Sequence, residues 1–169
     1  VYKGIDSSEQ LTIANLLSHT SGLPDYFQAT RKGKNSLMDQ VLSGEDQKWS
    51  FEQVIADSKK LGAEFLPSSG KALYSDTNFQ LLGKIIENIY EKTFAQVVDH
   101  QICKKLNFKN TYLYLDENDH RPKVLNFKKQ KLNIPQAMSS FGSDGGIVSN
   151  LEESLIFLKS FFEGQLFAK

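Results

Sequence analysis

The strongest constraint on the fold of this chain is the stretch from Asp76 to Tyr90, where apolar residues recur at intervals of three and four. Polar residues occupy the opposite side, so the pattern predicts an amphipathic helix. Gly83 interrupts it at a cost of about 1 kcal/mol in helix propensity. That cost indicates close packing against another backbone at this point. The apolar positions are Phe79, Leu82, Ile85, Ile86 and Ile89.

Capping patterns predict four further helices. Thr12 is a candidate N-cap for a short helix that ends before residues 18–24, where Gly22 and Pro24 enforce a turn. Ser50 and Thr93 each have glutamine three residues later, the pattern of a capping box. Asn150 precedes a last amphipathic helix. The helical signals thus extend over most of the chain.

Between the helices, the sequence favours only short extended segments. Residues 111–115 are rich in β-forming types, and residues 147–148 are strand-like after a glycine turn at 142–146. Residues 116–138 are polar and without periodicity, which predicts a long irregular connection. We therefore expect a mainly α fold with short strand or irregular segments, organised as a single domain over residues 1–169.

Composition excludes several classes of function. Twenty basic and twenty acidic residues cancel, so we expect no nucleic-acid partner. No apolar run approaches the roughly 18 residues of a transmembrane helix. The lone Cys103 excludes an intrachain disulfide and fits an apolar helical face. The first residue is Val1, without an initiator methionine or a signal peptide, so we expect a cut within a longer protein.

The remaining polar clusters point to no metal and no cofactor. His100 and His120 have no second ligand at metal-binding spacing, and residues 116–119 lack the pattern of a calcium loop. The glycine turn at 142–146 has no following lysine that would suggest a phosphate cradle. A basic cluster fits a solvated loop better than a phosphate-binding patch. Its members are Arg121, Lys123, Lys128, Lys129 and Lys131.

The segment Tyr74-Ser75-Asp76 is the strongest candidate for chemistry. A phenol has an unperturbed pKa of about 10, so a catalytic tyrosine needs a neighbouring positive charge. The usual partner is Ser-x-x-Lys on one helical face, and its one literal match is Ser68-Ser69-Gly70-Lys71. That match follows a proline in a predicted turn, so we reject it. Ser75 fits a helix cap better than a nucleophile.

Three segments together resemble the serine β-lactamase-related family, which includes class C β-lactamases, D-alanyl-D-alanine carboxypeptidases and related esterases. They are residues 16–26 with Ser18-His19-Thr20-Ser21-Gly22, residues 74–83 with Tyr74-Ser75-Asp76, and residues 144–149 with Asp144-Gly145-Gly146. The resemblance covers nearly the entire chain. It implies the helical subdomain of a larger α/β plus α hydrolase, with the Ser-x-x-Lys motif upstream and a Lys-Thr-Gly or His-x-Gly motif downstream.

Carried over by resemblance, the catalytic candidates are Tyr74 and Asp76. Tyr74 matches the family tyrosine that moves a proton to and from the nucleophilic serine. Asp76 matches a position where class C β-lactamases usually carry asparagine, and an ionised aspartate can accept a hydrogen bond from lysine but cannot donate one. This departure weakens the β-lactamase interpretation and leaves peptidase or esterase activity open. For His19, hydrogen bonding to the loop backbone is favoured over catalysis.

The resemblance implies a penicillin-recognising-type serine hydrolase that cleaves amide or ester bonds through an acyl-serine intermediate. Its substrate would be a peptide, a β-lactam or an ester, and the chain's partner would be the missing α/β domain. The isolated chain is expected to be inactive. The alternative is a noncatalytic helical binding or scaffold module, which Asp76 favours. An extracytoplasmic or cell-envelope location is implied by the family alone.

Overall fold

The computed structural model describes residues 4, 6–30, 33, 35–121, 126–127 and 130–167. Across these residues the chain is mostly helical, which confirms the predicted mainly α fold. A π-helical turn, Asp99–Cys103, continues α5, and a 3₁₀ turn, Gly142–Asp144, precedes β4. The α-helices are α1 (Ile13–Leu17), α2 (Leu37–Leu42), α3 (Phe51–Leu61), α4 (Asp76–Tyr90), α5 (Phe94–Val98), α6 (Pro135–Ser140) and α7 (Leu151–Phe162). The strands are β1 (Tyr112–Leu113), β2 (Asn126–Phe127), β3 (Gln130–Lys131) and β4 (Ile147–Val148).

The predicted helix starts are confirmed by their capping contacts. Thr12, Ser50 and Thr93 each accept a hydrogen bond from the backbone N–H three residues later, and each forms a reciprocal capping box. Asn150 accepts from the Glu153 N–H at the start of α7. Helix α4 begins at Asp76 and ends at Tyr90, as predicted. These ends are predictable because the caps lie within a few residues of the helices that they stabilise.

Close packing at Gly83 is confirmed, although its neighbour is a side chain and not another backbone. A Cβ atom at Gly83 would lie 2.1 Å from Ser143 Oγ. The Ser143 hydroxyl donates to the Phe79 carbonyl of α4 at 2.8 Å. The glycine therefore lets the 3₁₀ turn before β4 approach α4 closely.

The prediction for residues 116–138 as one irregular connection is wrong in part. β2 and β3 pair antiparallel, Asn126 with Lys131, and α6 begins at Pro135. The Asp46 carboxylate, about 90 residues away in sequence, accepts hydrogen bonds from the Gln136 and Ala137 N–H groups at the start of α6. The strands and the helix of this segment are short, and the residue that binds the start of α6 is distant in sequence. The segment therefore has no local periodicity from which its structure could be predicted.

The two predicted strand segments pair with each other. β1 and β4 are antiparallel, with Tyr112 opposite Val148 and Leu113 opposite Ile147. The Tyr114 N–H extends the pairing by donating to the Gly146 carbonyl at 2.8 Å. The short strand expected within residues 111–115 is confirmed, with two residues in β1. This pairing brings the third family-like segment, residues 144–149, beside the strand that follows α5.

Two clusters of buried side chains form the core of the described residues. The first joins the loop before α2, the start of α3 and α6 through Tyr26, Trp49, Val54, Ile134 and Ala137. The second contains Val98, Cys103 and Phe108, so the predicted apolar setting of Cys103 is confirmed. No helix in the described part of the chain is long and apolar enough to cross a lipid bilayer.

Helix α7 forms where it was predicted, but most of its apolar residues are exposed among the described residues. Leu151 and Phe162 are each 78% exposed, while Glu153 is only 7% exposed. The Glu153 carboxylate accepts hydrogen bonds from the Lys109 and Asn110 N–H groups and from the Thr111 hydroxyl. Burial by itself raises the pKa of Glu153, but these hydrogen bonds outweigh it and lower the pKa to about 2. A polar anchor thus decides which side of α7 faces the fold.

Candidate active site

The structure brings the two predicted catalytic residues into direct contact. Tyr74 lies two residues before α4, and Asp76 is the first residue of that helix. The Tyr74 hydroxyl donates to Asp76 Oδ1 at 2.6 Å. Tyr74 is 53% exposed, so its phenol can reach a group outside the chain. The pair is therefore a proton donor and acceptor at the start of the central helix.

The backbone on both sides of this pair is held by the first family-like segment. Ser75 and Thr77 are almost fully buried, and both hydroxyls donate to the Pro24 carbonyl, at 3.0 and 2.7 Å. The Tyr26 N–H in turn donates to the Thr77 hydroxyl at 3.2 Å. Ser75 occupies the N-cap position of α4, but its side chain makes no capping hydrogen bond. Its predicted place as the helix cap is therefore confirmed, but its hydroxyl binds the neighbouring loop and not the helix.

A second set of contacts joins His19 and Ser21 to α4. The Ser21 hydroxyl donates to Asn78 Oδ1 at 2.7 Å, and Asn78 is fully buried. The Ser75 N–H donates to His19 Nδ1 at 3.2 Å. The predicted role of His19 in holding the loop backbone is therefore confirmed. Sequence reasoning did not identify the contact between Ser21 and Asn78, because these residues are 57 positions apart. Each belongs to a family-like segment, but nothing in either segment indicates that the two side chains meet.

The electrostatics of the pair keep the phenol protonated. The hydrogen bond to the Asp76 carboxylate, aided by desolvation, raises the pKa of Tyr74 to about 12. Burial raises the pKa of Asp76 above its ordinary value, and the hydrogen bond from Tyr74 opposes that rise. A base in this position therefore needs a positive charge from outside the described residues to release its proton at neutral pH.

The third family-like segment contributes a buried carboxyl beside this frame. The Tyr26 hydroxyl donates to Asp144 Oδ2 at 2.8 Å, and Trp49 Nε1 donates to the same hydroxyl at 3.3 Å. Asp144 Oδ1 is buried without a hydrogen-bond partner among the described residues. Burial raises the pKa of Asp144 to about 7. Sequence reasoning did not predict this link, which spans 118 residues.

The rejected Ser-x-x-Lys match is confirmed as a turn. Ser68 has a φ of 58°, and residues 68–71 lie outside any helix. The Ser68 hydroxyl accepts a hydrogen bond from Asn15 Nδ2 at 2.9 Å. Ser68 and Lys71 therefore do not share a helical face, as the family chemistry requires.

The basic cluster is only partly within the described residues. The Arg121 guanidinium pairs with the Asp119 carboxylate and lies 3.5 Å from the centroid of the Tyr112 ring. Lys123, Lys128 and Lys129 lie outside the described residues, and only the backbone of Lys131 is described. In the described part of the chain, no group of three or more histidine, cysteine, aspartate or glutamate side chains could hold a metal ion.

A cavity among the described residues does not coincide with the pair. It has a volume of about 600 Å³ and lies beside β1 and β4. Tyr112, Arg121 and Phe141 contribute to its wall, whereas Tyr74 and Asp76 do not. Within the described residues, Tyr74 lies at an exposed surface at the start of α4.

Removing the Asp76 charge should lower the pKa of Tyr74. In Asp76→Asn, we expect that pKa to fall from about 12 towards the ordinary phenol value of about 10, because the largest cause of the increase is the carboxylate. A ¹³Cζ NMR titration of tyrosine-labelled protein measures it, with Tyr74→Phe identifying the resonance. A Tyr74 pKa that stays unchanged in Asp76→Asn would contradict this account.

Comparison with solved structures identifies the fold. The chain aligns with the D-amino acid amidase of Ochrobactrum anthropi SV3 over 98% of its length and 47% of that chain, with a TM-score of 0.76 and 21% identity. It aligns with a penicillin binding protein of Bacillus halodurans over 98% of its length and 50% of that chain, with a TM-score of 0.72 and 18% identity. At these identities the likeness establishes the fold, which is that of serine β-lactamases and penicillin-binding proteins.

Sequence comparison identifies the family. A protein of Escherichia coli K12 named "Putative D-alanyl-D-alanine carboxypeptidase" is 27% identical over 128 residues, which is 76% of this chain and 26% of that protein. The chain thus spans about a quarter of that relative and about half of the solved structures. The family model described as Beta-lactamase matches residues 3–167. The chain therefore belongs to the beta-lactamase family of serine hydrolases.

Proposed function

We propose that this chain forms the tyrosine side of the active site of a serine hydrolase that cleaves amide or ester bonds through an acyl-serine intermediate. In this proposal, residues 1–169 are one helical subdomain of a larger enzyme. The observation that carries it is the exposed Tyr74 hydroxyl on a buried frame: Tyr74 is 53% exposed, whereas Ser75 and Asn78 beside it are fully buried. Such a frame fixes a reactive group while leaving it accessible to a substrate.

Tyr74 would move the proton in both half-reactions. During acylation, Tyr74, ionised by a neighbouring lysine, accepts as a phenolate the proton of the nucleophilic serine while that serine attacks the carbonyl carbon. Tyr74 then passes the proton to the leaving amine or alcohol. During deacylation, Tyr74 accepts a proton from the attacking water and returns it to the serine. The lysine of a Ser-x-x-Lys motif would supply the positive charge that lowers the pKa of Tyr74 from about 12.

Asp76 would stand between that lysine and Tyr74. Its carboxylate already accepts from the Tyr74 hydroxyl at 2.6 Å and can accept a second hydrogen bond from an ammonium group. The positive charge of a lysine held there would oppose the effect of the negative Asp76 carboxylate, which raises the pKa of Tyr74. The similar proteins bear the names D-amino acid amidase and "Putative D-alanyl-D-alanine carboxypeptidase", and peptide, β-lactam and ester substrates all fit the proposed chemistry.

A noncatalytic helical binding module is the second candidate function. It is favoured by Asp76, which occupies the position where class C β-lactamases usually carry asparagine. The Asp76 carboxylate raises the pKa of Tyr74, so the phenol ionises less easily and is less able to act as a base. The coding sequence on both sides of these residues discriminates the two. An upstream Ser-x-x-Lys and a downstream Lys-Thr-Gly or His-x-Gly support the enzyme, and their loss supports the module.

We expect residues 1–169 alone not to react covalently with a fluorescent penicillin. The reason is that no serine in this sequence shares a helical face with a lysine three residues later, so an acyl-enzyme cannot form. Labelling is followed by gel fluorescence and intact-mass spectrometry, with the longer protein carrying both flanking motifs as the positive control. A covalent adduct on the chain alone would overturn the assignment of the nucleophile to a flanking segment, and an unlabelled longer protein would favour the module.

A further inference from the structure

His19 holds an unusual backbone conformation for a residue with a side chain. Its φ is 57°, in the left-handed region. It directly follows Ser18, the C-cap of α1, where glycine is the residue that fits this conformation most easily. A histidine at this position suggests that its side chain has a use that glycine would not serve.

The backbone and side chain of His19 hold both neighbours of Tyr74. The His19 carbonyl accepts from the Leu73 N–H at 2.9 Å. His19 Nδ1 accepts from the Ser75 N–H at 3.2 Å. The residue before Tyr74 and the residue after it are thus tied to one histidine.

The hydrogen bonds around Asn78 assign the histidine tautomer. The Ser21 hydroxyl donates to Asn78 Oδ1 at 2.7 Å, so the Asn78 amide nitrogen faces His19. That nitrogen lies 3.2 Å from His19 Nδ1. Because the groups that approach Nδ1 from Ser75 and Asn78 are both donors, Nδ1 carries the lone pair and Nε2 carries the proton.

The imidazole ring also touches the phenol directly. Its centroid lies 4.6 Å from that of the Tyr74 ring and 5.5 Å from that of the Phe79 ring. Phe79 belongs to α4, so the imidazole contacts both the phenol and the helix. The Tyr74 hydroxyl has one described partner, Asp76, so the direction of the phenol depends on these ring contacts and on the two backbone ties.

We propose that His19 is a positioning residue for Tyr74: by holding Leu73 and Ser75 and packing against the phenol, it aims the Tyr74 hydroxyl at the reacting groups. This inference rests on the proposed function of Tyr74 as the proton carrier. His19 transfers no proton in this role. Its loss should therefore lower the rate of acylation by misplacing the Tyr74 phenol.

The test compares three variants of the longer protein that carries both flanking motifs. Since a misplacement of about 1 Å can cost about 100-fold in rate, we expect His19→Ala to lower the acylation rate constant by about 10- to 100-fold, with KM within about twofold. His19→Asn should recover about tenfold of that loss, because asparagine tolerates a left-handed φ and its carbonyl can accept from Ser75. The matched control is His100→Asn at an exposed histidine, which should behave as wild type.

A purely structural role is excluded by two further readouts. The folded fraction is measured by circular dichroism, and active protein is counted by titration with a tight acylating inhibitor, so that rates refer to folded enzyme. The pH profile of acylation should keep its shape in His19→Asn, because Tyr74 stays beside Asp76. It should shift in His19→Ala, because the Tyr74 phenol moves away from the carboxylate that is the main cause of its raised pKa. If His19→Ala does not fold, the comparison of His19→Asn with wild type and with His19→Phe, which keeps a ring but no acceptor, replaces it.

Failure of this inference is distinguishable from failure of the proposed function. Wild-type acylation in His19→Ala, with Tyr74→Phe inactive, would overturn the role of His19 alone. Equal losses in His19→Asn and His19→Ala, or a His19→Phe variant as active as His19→Asn, would also overturn it, because the Nδ1 acceptor would then be irrelevant. Unchanged acylation in Tyr74→Phe would overturn the proposed function itself.

Discussion

Replacing Tyr74 with phenylalanine in the longer protein is expected to lower the acylation rate about 10²- to 10⁴-fold, the usual contribution of a positioned acid–base group. The substitution removes the oxygen that would carry the proton. It leaves the ring, which packs 4.6 Å from His19. Stopped-flow labelling with a fluorescent penicillin, or the burst of product from an ester substrate, measures the rate.

The control for this substitution is Tyr90→Phe at the last residue of α4. Tyr90 is 44% exposed and lies at the opposite end of the helix from Tyr74, so its hydroxyl should be dispensable. Both variants should unfold at the wild-type temperature, because the Tyr74 hydroxyl makes its described hydrogen bond to Asp76 on the surface. Acylation unchanged in Tyr74→Phe would favour the noncatalytic module.

Replacing Gly22 with alanine is expected to reduce the free energy of unfolding by about 2–5 kcal/mol. Gly22 has a φ of +72°, which costs a residue with a Cβ about 1–2 kcal/mol. The new Cβ would also lie 2.0 Å from the Phe65 carbonyl oxygen, and relieving such overpacking typically costs about 1–3 kcal/mol. The shift would disturb the hydrogen bond from the Glu64 N–H to the Gly22 carbonyl.

Gly44 offers a matched control for the conformational part of this cost. Its φ is +93°, but no atom lies within 4 Å of a Cβ at that position. Gly44→Ala should therefore lose only about 1–2 kcal/mol. Urea denaturation of both variants measures the difference, which isolates the clash with Phe65. Equal losses would show that the close approach to Phe65 relaxes without cost.

Five helices of this chain were predictable because their signals are local. The Thr12, Ser50 and Thr93 caps bind N–H groups three residues away, and the apolar period of α4 lies within one element. Helices α2 and α6 were not predicted, and each has only six residues, too few to establish a period. The capping box of α2, formed by Ser36 and Asp39, is local and was overlooked. The first turn of α6 depends on Asp46, which is 90 residues from Gln136.

In the candidate site, too, the residues identified from sequence are close together along the chain, and those that were missed are far apart. Tyr74 and Asp76 could be named from the resemblance, and their contact spans two residues. The frame around them could not be named, because it consists of contacts that span more than 50 residues, from Pro24 to Thr77, Ser21 to Asn78 and His19 to Ser75. The link from Tyr26 to Asp144 spans 118 residues.

Local sequence was thus sufficient for the ends of the longer helices and for the mainly α class, since caps and periodicity act over a few residues, and it supplied the motif that makes Tyr74 and Asp76 candidates. Tertiary structure alone decided which faces are covered and which groups share a proton. Helix α7 shows why: its period reveals an apolar side, yet the fold buries Glu153 instead, because the N–H groups of Lys109 and Asn110 reach that carboxylate. Periodicity reports the chemistry of a face, whereas burial depends on the partner that chain folding brings to it.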